Sequence, residues 1–459
     1  MTTFLEPPTR TRVGTRSSAA PRGTVAPATG EAPRTRTARD TSIDVARAWC
    51  LTVAVALHAL MVGVSVVGGV PVLENAMDSY SGFPALTWVM QIMPLFFVLG
   101  GFSSATQWSR LREKGMPAHD YVALRLKRLL GPALGAMAAT AAVLVGLVVF
   151  GVSDAVVAEA GFRMSQPLWF LGVYLLLSGL VPFMMKLHRA SPRATLVGLG
   201  ALVLGVDLTR IGTGIEAVGF ANLLFVWLLM QQLGFFLAEG RPRLDRRGHT
   251  LGAVAALGTL ATLCAFGVYD WDLFENLNPP TAALVLFGLA QICLFQLARP
   301  LLRKAHGIRP VAKIVGAVNA RAMTIYSWHM LVLIGMAGAL MFTVGEALPT
   351  PVSAEWWATR PAWFAAATLI TIALVALVGR REARGGAKTA PRESSTKRTV
   401  VALVTSAAGV LLVLVAGFSP LAWAGGAALL AVGLMVANGL GARRLDAARV
   451  GSAGVSSAR

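Results

Sequence analysis

The stretch "RAWCLTVAVALHALMVGV", Arg47 to Val64, decides the fold class. It is almost wholly apolar, with one arginine at its start and one histidine in its middle. At 1.5 Å per residue, about 20 such residues cross the roughly 30 Å hydrocarbon layer of a bilayer, so the stretch reads as the main part of a transmembrane helix. Comparable runs recur along all 459 residues. Hydrophobic residues make up 55% of the chain and charged ones only 14%, where ordinary soluble domains carry about 25% charged residues. The class is therefore an all-α, multi-pass transmembrane helix bundle of the cell (inner or plasma) membrane. The formal charge of +19 does not point to nucleic acid, because the basic residues lie between the apolar runs, where membrane topology accounts for them.

Twelve spans are expected, at about 45–70, 84–108, 129–152, 166–186, 194–211, 218–238, 250–268, 280–298, 317–343, 361–379, 399–417 and 421–440. With the N-terminus in the cytoplasm, 38 of the 41 Lys and Arg fall on inside segments, and only Arg163, Arg210 and Arg360 fall outside. That asymmetry is the positive-inside pattern, and it places both termini in the cytoplasm.

Between and around the spans the composition divides the chain. Residues 1–40, rich in Thr, Pro, Ala and Arg, read as a disordered basic cytoplasmic tail. They do not read as a signal peptide, since the basic region is too long and the apolar run that follows can span. Residues 41–380 form a ten-span domain, 381–398 a polar cytoplasmic linker, 399–440 a two-span hairpin and 441–459 a cytoplasmic tail. The hairpin holds no ionisable residue between Val401 and Asn438, which suits packing or assembly better than chemistry. "MPAHDYVALRLKRLLGP" (116–132) interleaves leucines with Arg125, Lys127 and Arg128 and reads as an amphipathic helix on the cytoplasmic surface before the third span. Cys50, Cys264 and Cys293 all fall within spans, with neither a disulfide framework nor zinc-ligand spacing, so no metal is expected.

Of six histidines, only His58 and His329 lie inside spans. His58 follows Arg47 by 11 residues, about 16 Å along a helix, and His329 follows Arg321 by eight, about 12 Å. Both helices run outward on this topology, so the two imidazoles stand at similar depth. An ionisable group there is costly unless it faces a cavity or a partner. A shared site and a plain hydrogen bond between helices are both open readings. Tyr326 lies three residues before His329 and shares its face, so both are expected to line the cavity of His58. Trp328 points away and reads as packing. Arg47, three residues after Asp44, suits a helix start and a cytoplasmic anchor. "RLKR" (125–128) suits lipid headgroups or a phosphorylated ligand. In "PLFFVLGGFSS" (94–104), Gly100 and Gly101 suit close helix approach, and with Ser103 they suit a channel wall equally well.

Four elements in order carry a resemblance: "IDVARAWCLTVAVALH", in which Arg47 and His58 are separated by ten residues, "PLFFVLGGF", "RLKRLLGP", and "TIYSWHM" (324–330). Together they resemble the acyltransferase 3 family of bacterial integral membrane acyltransferases over about residues 42–380. One position departs: the family commonly has Ser-Gly-Phe where this chain has Gly100-Gly101-Phe102. The resemblance implies acyl transfer from cytoplasmic acyl-CoA to a hydroxyl or amine of an extracytoplasmic or lipid-linked acceptor, such as a cell-envelope sugar or secreted metabolite. It implies that Arg47 and His58 are the essential pair and that Arg125 and Arg128 are the family's Arg-x-x-Arg.

The expectation is a twelve-span membrane acyltransferase with His58 as general base, since imidazole titrates near neutrality. Arg47 would orient the site or hold the donor, and Arg125 and Arg128 would bind CoA phosphates. Tyr326, His329 and Ser103 would line the substrate path. Acyl-CoA is the co-substrate, and no bound cofactor is expected. The rival is a twelve-span secondary transporter that relays protons through its histidines. The chain shows no second copy of its motifs at a half-chain offset, which weakens that rival.

Overall fold

The computed structural model describes residues 40–386 and 394–439. The expected N-terminal and C-terminal tails and the middle of the linker lie outside the described residues. The described chain runs α1 (Thr41–Met61), β1 (Val62–Val67), β2 (Val70–Asn75), α2 (Phe83–Met90), α3 (Met93–Glu113), α4 (Ala118–Val149), α5 (Asp154–Ser165) and α6 (Leu168–Ala190). It continues through α7 (Pro192–Thr213), α8 (Glu216–Gly219), α9 (Asn222–Ala238), α10 (Arg246–Ala265) and α11 (Ala282–His306). It ends with α12 (Arg309–Ala320), α13 (Ala322–Thr343), α14 (Ala354–Gly386), α15 (Thr396–Ala416) and α16 (Pro420–Ala437). Among the described residues, twelve helical segments are long and apolar enough to cross a membrane, so the protein is an all-α, multi-pass membrane protein.

Five details differ from the sequence expectation. The first span ends at Met61, not near 70, because residues 62–75 form an antiparallel hairpin. Gly68 and Gly69 make its turn with φ of 57° and 78°, a backbone that only glycine adopts cheaply. The second span is broken between α2 and α3, where Pro94 at the start of α3 cannot continue the ladder. The freed backbone groups find side chains instead: Gln291 Nε2 donates to Gln91 O at 2.6 Å and Leu95 N donates to Gln291 Oε1 at 2.9 Å. A break inside hydrocarbon needs that satisfaction.

The third difference concerns 116–132, which is no separate surface helix. It forms the first turns of the 32-residue α4, with Pro132 inside it. Tyr121, Arg125, Leu126 and Leu129 are buried, so the helix turns that face into the protein while Leu124 and Arg128 stay exposed. The fourth is that the ninth span begins at Ala322, because α12 is a separate helix with only Val315 buried. In addition, α14 runs on to Gly386, beyond the expected start of the linker.

The core is held by close backbone approach and aromatic packing. A Cβ on Gly101 of α3 would stand 2.3 Å from Gln231 O of α9, and one on Gly234 of α9 would stand 2.1 Å from Val98 O of α3. Only glycine permits that contact, the small-residue packing common between membrane helices. Phe97 stacks on Trp227 at 4.4 Å between the same two helices. The C-terminal hairpin is bound into the bundle in the same manner. A Cβ on Gly409 would meet Gly426 O at 2.8 Å, joining α15 to α16, and one on Gly426 would meet Met137 of α4. Thr399 Oγ1 donates to His119 O at 3.3 Å, fixing the start of α15 to the start of α4.

At the end of the bundle where α7 finishes and α11 begins, a buried carboxylate ties the loops. Asp207 is 2% exposed. It accepts hydrogen bonds from Asn222 Nδ2, Tyr269 Oη and Ala282 N, each at 2.8 Å. Burial, and then the Asp207 carboxylate, push the Tyr269 phenol up, so it stays protonated and donating.

Candidate active site

Two helices bring the intramembrane histidines together. His58 lies in the last turn of α1 and His329 in the second turn of α13. His58 Nδ1 stands 2.9 Å from His329 Nε2, with ring centroids 5.0 Å apart and planes 23° from parallel. His329 Nδ1 stands 2.7 Å from the carbonyl oxygen of Tyr326. A carbonyl only accepts, so His329 Nδ1 donates. In the neutral ring Nε2 then accepts, and the proton between the rings belongs to His58 Nδ1. Each tautomer follows from the partner at the other nitrogen. The outcome is that His58 Nε2 carries a free lone pair. His329 is 1% exposed, whereas His58 is half-buried, so His58 faces open space and His329 backs it.

The arginines form a second group on α1 and α4. Arg47 and His58 are 11 residues apart, three turns plus about 20°, so they share one face of α1. Arg125 is 8% exposed. It donates from Nη1 to Gln107 Oε1 at 3.2 Å and from Nη2 to Tyr174 Oη at 3.1 Å. Tyr174, on α6, also lies within electrostatic reach of Arg47 and Arg128. Among the described residues, none of these three arginines makes an ion pair with a carboxylate. Such an unneutralised group of guanidinium ions is suited to an anion, above all a phosphate.

The remaining candidates are engaged locally. Tyr326 Oη donates to Pro167 O at 2.6 Å, between α5 and α6, and its ring meets Phe170 edge-on at 5.1 Å. It positions His329 through its backbone carbonyl. Ser103 Oγ donates to Leu99 O at 2.8 Å within its own helix. Gly100 carries no side chain, and a Cβ there would touch the Tyr174 ring at 3.4 Å, an ordinary contact. Trp328 packs with 9% exposure, with Gly135 of α4 beside its ring.

The profile of the acyltransferase 3 family, described as an acyltransferase domain, matches residues 40–380. The chain belongs to the acyltransferase 3 family. It is a membrane acyltransferase, and that class stands in place of the transporter alternative. The match spans α1 to α14 up to residue 380, so the hairpin of α15 and α16 lies outside it. Neither a search of curated proteins nor one of solved structures returned a match.

Sequence reasoning missed Tyr174 and Gln107, which hold Arg125, although a tyrosine hydroxyl inside a span was a visible signal. It also gave no role to Arg360, whose signal was a cation on the side of the membrane that cations avoid.

Proposed function

We propose that this acyltransferase moves an acyl group from cytoplasmic acyl-CoA to a hydroxyl or amine of an extracytoplasmic or lipid-linked acceptor, with His58 Nε2 as the general base. The observation that carries the reading is the free lone pair of His58, set by the His329–Tyr326 carbonyl chain. It lies three turns along the same helix face from the arginine group. The nucleotide end of CoA is anionic and suits Arg47, Arg125 and Arg128. Its thin pantetheine arm reaches along α1 toward His58.

In the chemical step His58 Nε2 removes the proton from the acceptor hydroxyl as the oxygen attacks the thioester carbon. The C–O bond forms, the C–S bond breaks, and the CoA thiolate takes the proton back from His58. The imidazolium formed in between keeps its Nδ1–H bond to His329, so the ring does not turn. No resident cofactor or metal is invoked, and acyl-CoA is consumed as co-substrate.

The test combines a gene deletion with residue-specific complementation. Mass spectrometry of envelope glycans and secreted metabolites should show an acyl increment lost on deletion and restored by the wild type. His58→Ala, expressed at the same level, should leave it lost. Restoration by His58→Ala would remove the histidine from the mechanism.

A further inference from the structure

On the sequence topology three arginines face away from the CoA end, namely Arg163, Arg210 and Arg360. Two are neutralised by their own neighbours. Arg163 Nε lies 2.6 Å from Glu159 Oε1, and Arg210 Nη1 lies 3.0 Å from Glu216 Oε2. Arg360 differs in that it is 9% exposed and, among the described residues, pairs with no carboxylate. Its Nε donates to Trp356 O at 3.3 Å and its Nη2 to Thr359 Oγ1 at 3.1 Å. Its guanidinium carbon stands 4.0 Å from the centre of the Trp356 ring and 5.2 Å from that of Trp363. All of these partners are neutral. Cation–π contacts offset part of the desolvation but leave the charge in place, and most of the five N–H groups stay uncommitted. A buried cation of this kind is costly unless an anion joins it.

Its position relates it to the base. Trp356, Arg360 and Trp363 follow at four and three residues and share one face of α14. Trp363 Nε1 donates to Ala59 O at 2.8 Å, and Ala59 is the residue after His58. Arg360 lies three residues from Trp363, about 4.5 Å along α14. Trp356 packs in one cluster with Leu57 and Leu60 of α1. Arg360 therefore stands about one turn beyond the level of His58, away from Arg47, Arg125 and Arg128.

We propose that Arg360 binds an oxyanion of the acceptor, so that the enzyme acylates a hydroxyl of a sugar or polyol that also bears a carboxylate or a phosphate. The assignment rests on the reading of His58 as the base. It makes the site bipolar. One unneutralised arginine group holds the donor's phosphates, and a single caged arginine on the other side of the base holds the acceptor's charge.

The experiment is arginine-selective labelling of the full-length wild-type protein in detergent or nanodiscs with phenylglyoxal, read residue by residue by peptide mass spectrometry. Parallel samples contain a large excess of D-glucuronate, D-glucose 6-phosphate, D-glucose or acetyl-CoA. Arg360 is expected to be labelled, and glucuronate or glucose 6-phosphate, but not glucose, should slow its labelling by about tenfold, the scale of one charge-assisted contact. Which anionic sugar protects decides between carboxylate and phosphate. The proposal is overturned if Arg360 is never labelled, which makes it a closed structural clamp. It is equally overturned if glucose protects as well as the anionic sugars, or if none protects. The acetyl-CoA sample reads Arg47 and Arg128 in the same digest. Donor protection there without sugar protection at Arg360 sinks this proposal alone. The reverse pattern sinks the donor reading and leaves the acceptor site standing.

Discussion

His58 Nδ1 and His329 Nε2 stand 2.9 Å apart across two helices, although 271 residues separate them in the chain. The contact makes His329 the acceptor and leaves the outer nitrogen of His58 unprotonated. It also orients the His58 ring, with a backbone carbonyl at the far end of the chain, as the proposed role of general base requires.

Changing His58 to Ala should lower turnover by about 10²–10⁴-fold, the usual contribution of a positioned acid–base group. The protein should keep its fold, because the change removes one contact between α1 and α13 and leaves the other helix contacts in place. Release of CoA thiol from acetyl-CoA, compared with size-exclusion behaviour, separates the two effects. Near-normal turnover in a folded variant would falsify the assignment.

His329 is expected to separate by substituent. His329→Gln keeps an acceptor for His58 Nδ1 and should retain partial activity. His329→Leu leaves that donor unpaired in a buried site, a defect of about 1–3 kcal/mol, and should lose most of the activity. Equal activity of the two variants would show that the contact is packing alone.

Arg125 and Arg128 changed together to Ala should raise the KM for acyl-CoA more than the KM for the acceptor, since a phosphate contact is mainly donor binding. Tyr174→Phe is a milder probe of the same site. It removes one hydrogen bond to Arg125 and should raise the donor KM by about 2–10-fold. A donor KM unchanged in both would return these cations to lipid contact.

Gly234→Ala should destabilise the bundle, because the new Cβ would sit 2.1 Å from Val98 O of α3, a backbone atom that cannot swing away. Overpacking of this kind costs about 1–3 kcal/mol or more. Thermal unfolding in detergent should show a clear loss for Gly234→Ala and little change for Gly198→Ala, where a Cβ meets nothing within 4 Å. Equal midpoints would mean that α3 and α9 separate to admit the methyl group at no cost.

A reporter fused after Arg443 should read cytoplasmic if the topology that gathers 38 of the 41 basic residues on the inner side holds. An extracellular signal there would break the even span count.

The sequence by itself determined the class, the twelve spans and the family, because these are properties of a line. Hydrocarbon thickness sets the length of an apolar run, charge bias sets which loops stay inside, and the ordered motifs carry the family. It also supplied His58 and His329 as ionisable residues out of place in hydrocarbon, and Arg47, Arg125 and Arg128 through the ordered motifs. It hid the hairpin at 62–75, since strand and helix both read as apolar there, though Gly68-Gly69 inside a valine-rich run was a turn signal. It hid the break at Gln91, because Gln291, 200 residues away, satisfies the freed carbonyl. Only the tertiary structure decided which nitrogen of His58 is free, that Tyr174 and Gln107 hold Arg125, and that Arg360 is caged by Trp356 and Trp363. These depend on the rotation of each helix about its axis and on which helices are neighbours. Hydropathy and charge counts do not encode either, and packing across the bundle fixes both.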